Sequence, residues 1–302
     1  MTHAVAEREP PRHSAPKAPM STGDKVRFAL RGLGQTLITL GLVVLLFVVY
    51  EVWITNIWAD RNNRHNISAL HKEIDTVVGL PGNSNSAVPI GKSLGVLYIP
   101  RLGRDYAEAI VQGNTVPDDS QLEQGTAHYG NTQLAGQAGN FAIAGHRVGK
   151  GEPFLNIDKL RSGDAVIVET LGTDPTTKKK AVAWYVYRVM GLPDGTNTNP
   201  QTDKPDSVRV KGANPVSLPG RQIIEPSDGN VLRPVPNHPE IPTTSAQDAL
   251  LTMTTCHPKF TASHRMIVYS KLDTNLTQWV DSKADANAMP SAISKLYDEV
   301  GS

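Results

Sequence analysis

ALLTMTTCHPKFTASHRMIVYSKL, residues 249–272, is the stretch on which the reading of this chain turns. Its first seven residues are apolar or β-branched and predict a strand. That strand runs out into Cys256 and His257, and Pro258, which cannot donate to a ladder, stops it. A second apolar run, MIVYSKL (266–272), starts directly after Arg265. A turn over 257–264 makes the two runs a hairpin and carries Cys256 and Arg265 to neighbouring strand ends. A cysteine buried in mid-strand would have apolar residues on both sides. Here His257, Pro258 and Lys259 follow, which places Cys256 at a rim. It is the only cysteine in 302 residues, so an intramolecular disulfide and a cysteine-based zinc cluster are both excluded. Such a cysteine is either buried and inert or kept because it reacts.

Upstream the texture is the same. VLYI (96–99), AIV (109–111), NFAIA (140–144), AVIVET (165–170) and AVAWYVYRV (181–189) are short apolar runs separated by turn residues. The spacing predicts an all-β domain, closed or sandwiched. NFAIAGHR (140–147) ends its strand at Gly145 and sets His146 at the rim, where a sheet holds a side chain still while solvent reaches it. His146 alone is one of nine histidines, and Arg265 alone reads as an ordinary solvated strand-end charge. The signal is the conjunction of thiol, imidazole and guanidinium at three strand ends. The stretch 191–222 is rich in Pro, Asn and Asp, and reads as a surface excursion from the β domain. The net charge of +1 gives no basic field for nucleic acid, and no Rossmann or phosphate-loop motif is present.

The flanks divide differently. Residues 1–31 are expected to be a disordered cytoplasmic tail, with prolines at 10, 11, 16 and 19 and no apolar period. Residues 32–58 are expected to form a transmembrane helix. Gly32–Tyr50 carries no charge, and its 19 residues span roughly 28 Å as a helix, near the thickness of a bilayer core. Lys25, Arg27 and Arg31 before it orient the N-terminus to the cytoplasm, and Trp53 and Trp58 follow as interface anchors. Everything beyond is then extracellular. A cleaved signal peptide is the rival reading, but the run is longer than a signal core and no small-x-small site follows. Residues 59–92 are expected to be a stalk, with Ile67, Leu70, Ile74 and Val78 at helical spacing and LPGNSNS (80–86) breaking the helix. Residues 93–272 form the β domain and 273–302 a C-terminal tail.

At this point the chain resembles the sortases. TMTTC (252–256) is similar to the family's TLxTC signature, NFAIAGHR to its catalytic-histidine strand, and Arg265 to its catalytic arginine. LYIPRLG (97–103), GDAVIVET (163–170) and IIEPSDGNVLRPVP (223–236) frame these motifs, so the resemblance runs from about Leu94 to Leu272. HYGNTQLAGQAGN (128–140) and CHPKFTASHR (256–265) are most similar to the actinobacterial class E enzymes. The resemblance implies a closed eight-stranded β-barrel with short helices. It implies a cysteine transpeptidase with Cys256 as nucleophile, His146 as acid and base, and Arg265 stabilising the transition state. Tyr129 is expected to line the substrate groove by resemblance, or else to be a rim aromatic packed on the barrel. Thr255, which precedes the nucleophile, is expected to touch substrate, and His257, which follows it, is expected either to touch substrate or to shape the turn. The implied partners are secreted proteins with C-terminal LAxTG- or LPxTG-type signals and the amine of a lipid II-type peptidoglycan precursor, with the membrane as anchor. No cofactor and no metal is expected, since no acidic cluster argues for Ca²⁺. The alternative is a catalytically inactive, sortase-like, membrane-tethered scaffold. With ordinary thiol and imidazole acidities about two units apart, the thiolate–imidazolium form is only about 1% of the singly protonated pair.

Overall fold

The structure, a computed structural model, describes residues 21–50, 55–78, 88–192 and 206–301. It divides into two units, Met1–Val49 and Tyr50–Ser302. The first contains helix α1 (Thr22–Val49), which no other residue buries. The expected tail over 1–31 is therefore corrected from residue 22 onward. Ser21 caps the helix: its hydroxyl accepts from the Asp24 amide and donates to the Asp24 carboxylate, so the charged turn before the apolar run is already helical. The expected span to residue 58 is corrected too. A separate helix, α2 (Thr55–Val77), carries Trp58, because Asn56, Asp60, Arg61, Asn62 and Asn63 are too polar to continue an apolar span. Trp53 and residues 1–20 lie outside the described residues.

Alternating apolar positions build twelve strands among the described residues of the second unit. These are β1 (Ser93–Tyr98), β2 (Glu108–Gln112), β3 (Thr126–His128), β4 (Gly139–Ala144), β5 (Ala165–Thr173), β6 (Lys180–Val189), β7 (Asp206–Val208), β8 (Val216–Leu218), β9 (Arg221–Ile224), β10 (Ala249–His257), β11 (His264–Leu272) and β12 (Gln278–Val280). Eight of them close a circuit in the order β6-β5-β1-β2-β3-β4-β10-β11 and back to β6. Pairing is antiparallel except at β2–β3 and β4–β10, which are parallel. The long strand β6 makes the closure possible by serving two neighbours. Its start pairs with β12 at Trp184, Ala183 and Val182, and its end pairs with β11 through Val189↔Ser270 and Tyr187↔Leu272. A closed sheet leaves no circuit strand with an unpaired edge. β9 adds to the outside of β11, and β7–β8 form a separate hairpin.

The barrel interior is filled by one side of each strand, including Leu97, Phe141, Ile143, Val166, Val168, Leu251, Met253, Met266 and Val268. Phe154 and Ile157 plug it from the segment after β4. The outer side of β1, β5 and β6 is apolar as well, which is why AVIV reads as an unbroken run. Leu70 and Ile74 of α2 and Val78 just after it cover that side, and Ala286, Ile293 and Leu296 complete the cover from the C-terminal segment. The expected stalk and tail are thus corrected: both are part of the folded domain, because strand alternation leaves Val96, Ile167, Val182 and Trp184 in need of a lid. The expected surface excursion over 191–222 is corrected in the same way for its described part. Val208 and Leu218 are buried with Ile267 and Tyr269. Gly220 is held there by close approach, since a Cβ on it would stand 2.1 Å from the Met190 carbonyl oxygen.

A buried carboxylate fastens α2 to the barrel. Glu169 of β5 is 1% exposed. It accepts from the Tyr98 hydroxyl at 2.7 Å, and His71 Nε2 of α2 lies 3.2 and 3.4 Å from its two oxygens. The Glu169 hydrogen bond, followed by its charge and that of Asp75, holds the His71 pKa above its ordinary value against the cost of burial. A raised folded pKa stabilises below the unfolded value near 6.5 and loses that contribution as pH climbs through the folded one. The melting-temperature gap between wild type and His71→Ala is therefore expected to be widest below pH 6 and to shrink by pH 9. A gap that widens with pH in paired thermal melts would contradict this coupling.

Candidate active site

The site is set by the phase of two strands. On β10, Leu251, Met253 and Thr255 face the interior, so Leu250, Thr252, Thr254 and Cys256 face outward. On β4, Phe141 and Ile143 face inward and Asn140, Ala142 and Ala144 outward. The parallel register places Ala142 beside Thr252 and Ala144 beside Thr254. Gly145 extends it one step, its amide donating to the Thr254 carbonyl at 3.1 Å. Continued by the same register, His146 falls level with Cys256. Gly145 is required at this corner, because a Cβ would come within 2.7 Å of the Phe154 ring.

Across the other edge of β10, Cys256 is directly paired with Arg265 of β11, so the two side chains share the outer face. Asn140 closes the far end of this face. Its amide donates to the carbonyls of Val231 and Arg233 at 3.0 and 3.1 Å, and it accepts from the Thr252 hydroxyl at 2.6 Å, fastening the 229–235 segment down. What remains open is the end bearing His146, Cys256 and Arg265, each half-buried.

Tyr129 joins them. Its hydroxyl is 2.8 Å from the Thr254 hydroxyl, one residue pair along from the thiol. Burial raises its pKa, the Thr254 hydrogen bond and the Arg265 charge pull it down, and Cys256 pushes it up, so the phenol stands within the field of both. The Arg265 guanidinium is tied to its own turn: Nη1 donates to the Ala262 and His264 carbonyls at 3.0 and 3.1 Å. The bonds of its side chain among the described residues are both made by Nη1. The imidazole of His146 is 17% exposed, and its Nε2 has no hydrogen-bond partner among the described residues. Asp119 Oδ1 lies 3.8 Å from that nitrogen, beyond hydrogen-bond range, while its other oxygen is taken by Lys150 at 2.8 Å. Burial lowers the His146 pKa, and Asp119 opposes that more than Lys150 adds to it.

Strand phase places two of the expected substrate contacts off the thiol's outer face. Thr255 is 3% exposed on the inner side, and its hydroxyl donates to the Gly145 carbonyl at 2.8 Å. His257 shares that phase, and its Nδ1 meets Arg147 Nη1 at 3.0 Å. Thr254, one residue earlier, is the threonine on the thiol's face. Counting by twos back from Cys256 would have found it. Asp119 carries a weaker sequence signal, the capping box Asp118-x-x-Gln121 that starts the short helix α3 (Asp119–Leu122). Nothing in the sequence marks Arg147 as buried. Among the described residues no group of three or more His, Cys, Asp or Glu is gathered for a metal.

Comparison with known proteins gives a consistent assignment. A family model described as the sortase domain matches residues 97–273. Sortase SrtE1 of Streptomyces coelicolor is 30% identical over 296 residues, covering 92% of this chain and 68% of that protein. Sortase SrtE2 of the same organism is 29% identical, covering 81% and 82%. Among solved structures, the SrtF sortase from Corynebacterium diphtheriae aligns with a TM-score of 0.52 at 31% identity, covering 70% of this chain and 96% of that one.

Proposed function

The chain belongs to the sortase family of cysteine transpeptidases and is class E-like, and from that premise we propose that it cleaves the Thr–Gly bond of C-terminal LAxTG- or LPxTG-type sorting signals and joins the new end to a cell-wall amine. The observation that carries this reading is the shared outer face: Cys256 is opposed to Arg265 on one side, and on the other the β4 register, continued past Gly145, brings His146 level with it.

The Cys256 thiolate attacks the threonine carbonyl carbon, and the carbonyl π electrons move onto oxygen. Arg265 donates to that oxyanion from its unengaged nitrogens, where charge develops. The C–N bond then breaks, and His146 gives its proton to the departing glycine amine. The thioester is resolved by an incoming amine, whose proton returns to His146 as the C–S bond breaks. An imidazole that is buried and lacks a hydrogen-bonded carboxylate holds its proton weakly. That suits delivery to the amine and keeps the reactive ion pair a minor population. Asp119 offsets part of this cost.

In the same reading α1 is a membrane anchor. Lys25, Arg27 and Arg31 hold its start in the cytoplasm, and the barrel lies outside the cell. The clients are secreted proteins bearing the signal, and the acceptor is the amine of a lipid II-type peptidoglycan precursor.

The test uses the full-length protein in detergent micelles with LAxTG and LPxTG peptides and an amine acceptor, read by mass spectrometry. A ligated product from which the residues after Thr are lost is expected, and the class E likeness predicts that the LAxTG peptide is the faster. No cleavage of either peptide would overturn the proposal.

A further inference from the structure

Arg147 directly follows His146, yet it lies on the opposite phase, among interior side chains. It is only 4% exposed, which is rare for an arginine. Its Nη1 donates to His257 Nδ1 at 3.0 Å and reaches the Cys256 carbonyl at 3.5 Å and the Met266 sulfur at 3.7 Å. Its Nη2 meets Asp158 Oδ1 at 3.2 Å, and its Nε is buried with no acceptor among the described residues. Burying a guanidinium with one carboxylate that is itself 40% exposed is costly, and an aliphatic side chain would fill the same space. An aliphatic chain could not grip the backbone of Cys256 and the ring of His257 together.

We propose that Arg147 is a positioning residue for the nucleophile: from the inner face it pins the Cys256–His257 segment by carbonyl and ring, so that the thiol on the outer face keeps its place against His146 and Arg265. The inference rests on the transpeptidase reading of that face. Arginine has donors only, so His257 Nδ1 accepts and the ring carries its proton on Nε2. The charged groups facing His257 are Arg147 after β4, His264 on β11 and Asp158 in the turn after β4. His264 is itself 3.2 Å from Glu225. Burial and the charges of Arg147 and His264 lower the His257 pKa, and Asp158 opposes them. With its Nδ1 occupied by a donor, the second imidazole beside the nucleophile does not compete with His146 for the thiol's proton.

The test is ¹⁵N-resolved NMR of histidine-labelled, full-length protein in micelles, together with turnover of the sorting-signal peptide. Wild-type His257 is expected as the Nε2–H tautomer, titrating below an ordinary histidine. In Arg147→Gln its midpoint rises and the tautomer preference weakens. Asp158→Asn removes the opposing charge and drives the midpoint lower. This substitution of a half-exposed carboxylate keeps the question open to measurement if Arg147→Gln does not fold. Arg147→Gln and Arg147→Lys are each expected to lower kcat on the order of 10²-fold with little change in KM, as a displaced nucleophile would. Lysine fails to rescue because a single ammonium cannot serve His257 and Asp158 in two directions. Wild-type His257 protonated on Nδ1, or folded Arg147 variants with wild-type kcat, would overturn the proposal. The NMR result does not depend on turnover, so a failure to process any peptide while His257 behaves as expected counts against the transpeptidase reading and not against this arrangement.

Discussion

Cys256→Ala is expected to yield no acyl-enzyme and no ligated peptide, with kcat/KM down on the order of 10⁴–10⁶. Removing the nucleophile leaves only binding and oxyanion stabilisation, and neither can form the thioester. The substitution deletes one sulfur from a half-buried position at a strand end, where the backbone pairing of 256 with 265 is untouched. Folding is therefore expected to be unchanged, and a wild-type melting curve beside a silent mass spectrum is the diagnostic pair. Residual ligation within tenfold of wild type would mean that another group carries the acyl chain. With one cysteine in the chain, no other thiol is available to take its place.

Arg265→Lys is expected to cost on the order of 10²–10³ in kcat, although the charge is conserved. Nη1 spends its donors on the Ala262 and His264 carbonyls, which fixes the plane of the fork and aims the remaining nitrogens. A lysine ammonium has one donor atom. If it satisfies the turn it cannot reach the oxyanion, and if it reaches the oxyanion the turn loses its tether. KM is expected to move less than kcat, because the developing negative charge exists only in the transition state. Steady-state kinetics on the two peptides would decide it. An Arg265→Lys enzyme at wild-type speed would leave Arg265 as a turn-builder only.

The barrel was legible because its strands are short apolar runs bounded by turn residues, and the three catalytic candidates were legible because each stands where such a run ends. Strand phase is equally readable: alternation from Cys256 puts Thr254 on its face and Thr255 and His257 on the other, which adjacency in sequence conceals. Other parts were poorly marked. α2 and the C-terminal segment each bring three apolar residues to the domain, set among charges, and such patterns look solvated until the outer face of β5 and β6 is known to need cover. β7 and β8 are three residues long and flanked by Asp, Asn and Pro, too short for any period to register. The burial of Arg147 follows from the packing of the 147–160 segment under the barrel end, a long-range fact that no local pattern encodes.

The joint lid formed by α2 and the C-terminal segment also decides where the gene can be cut. A soluble fragment started at the first barrel strand would strip Leu70, Ile74 and Val78 from Val96, Ile167 and Trp184, and leave an oily flank and the Glu169 carboxylate facing water. Such a fragment invites self-association through that flank. The practical boundary for expression lies before Thr55, and trimming the C-terminal segment that includes Ile293 and Leu296 carries the same hazard from the other end.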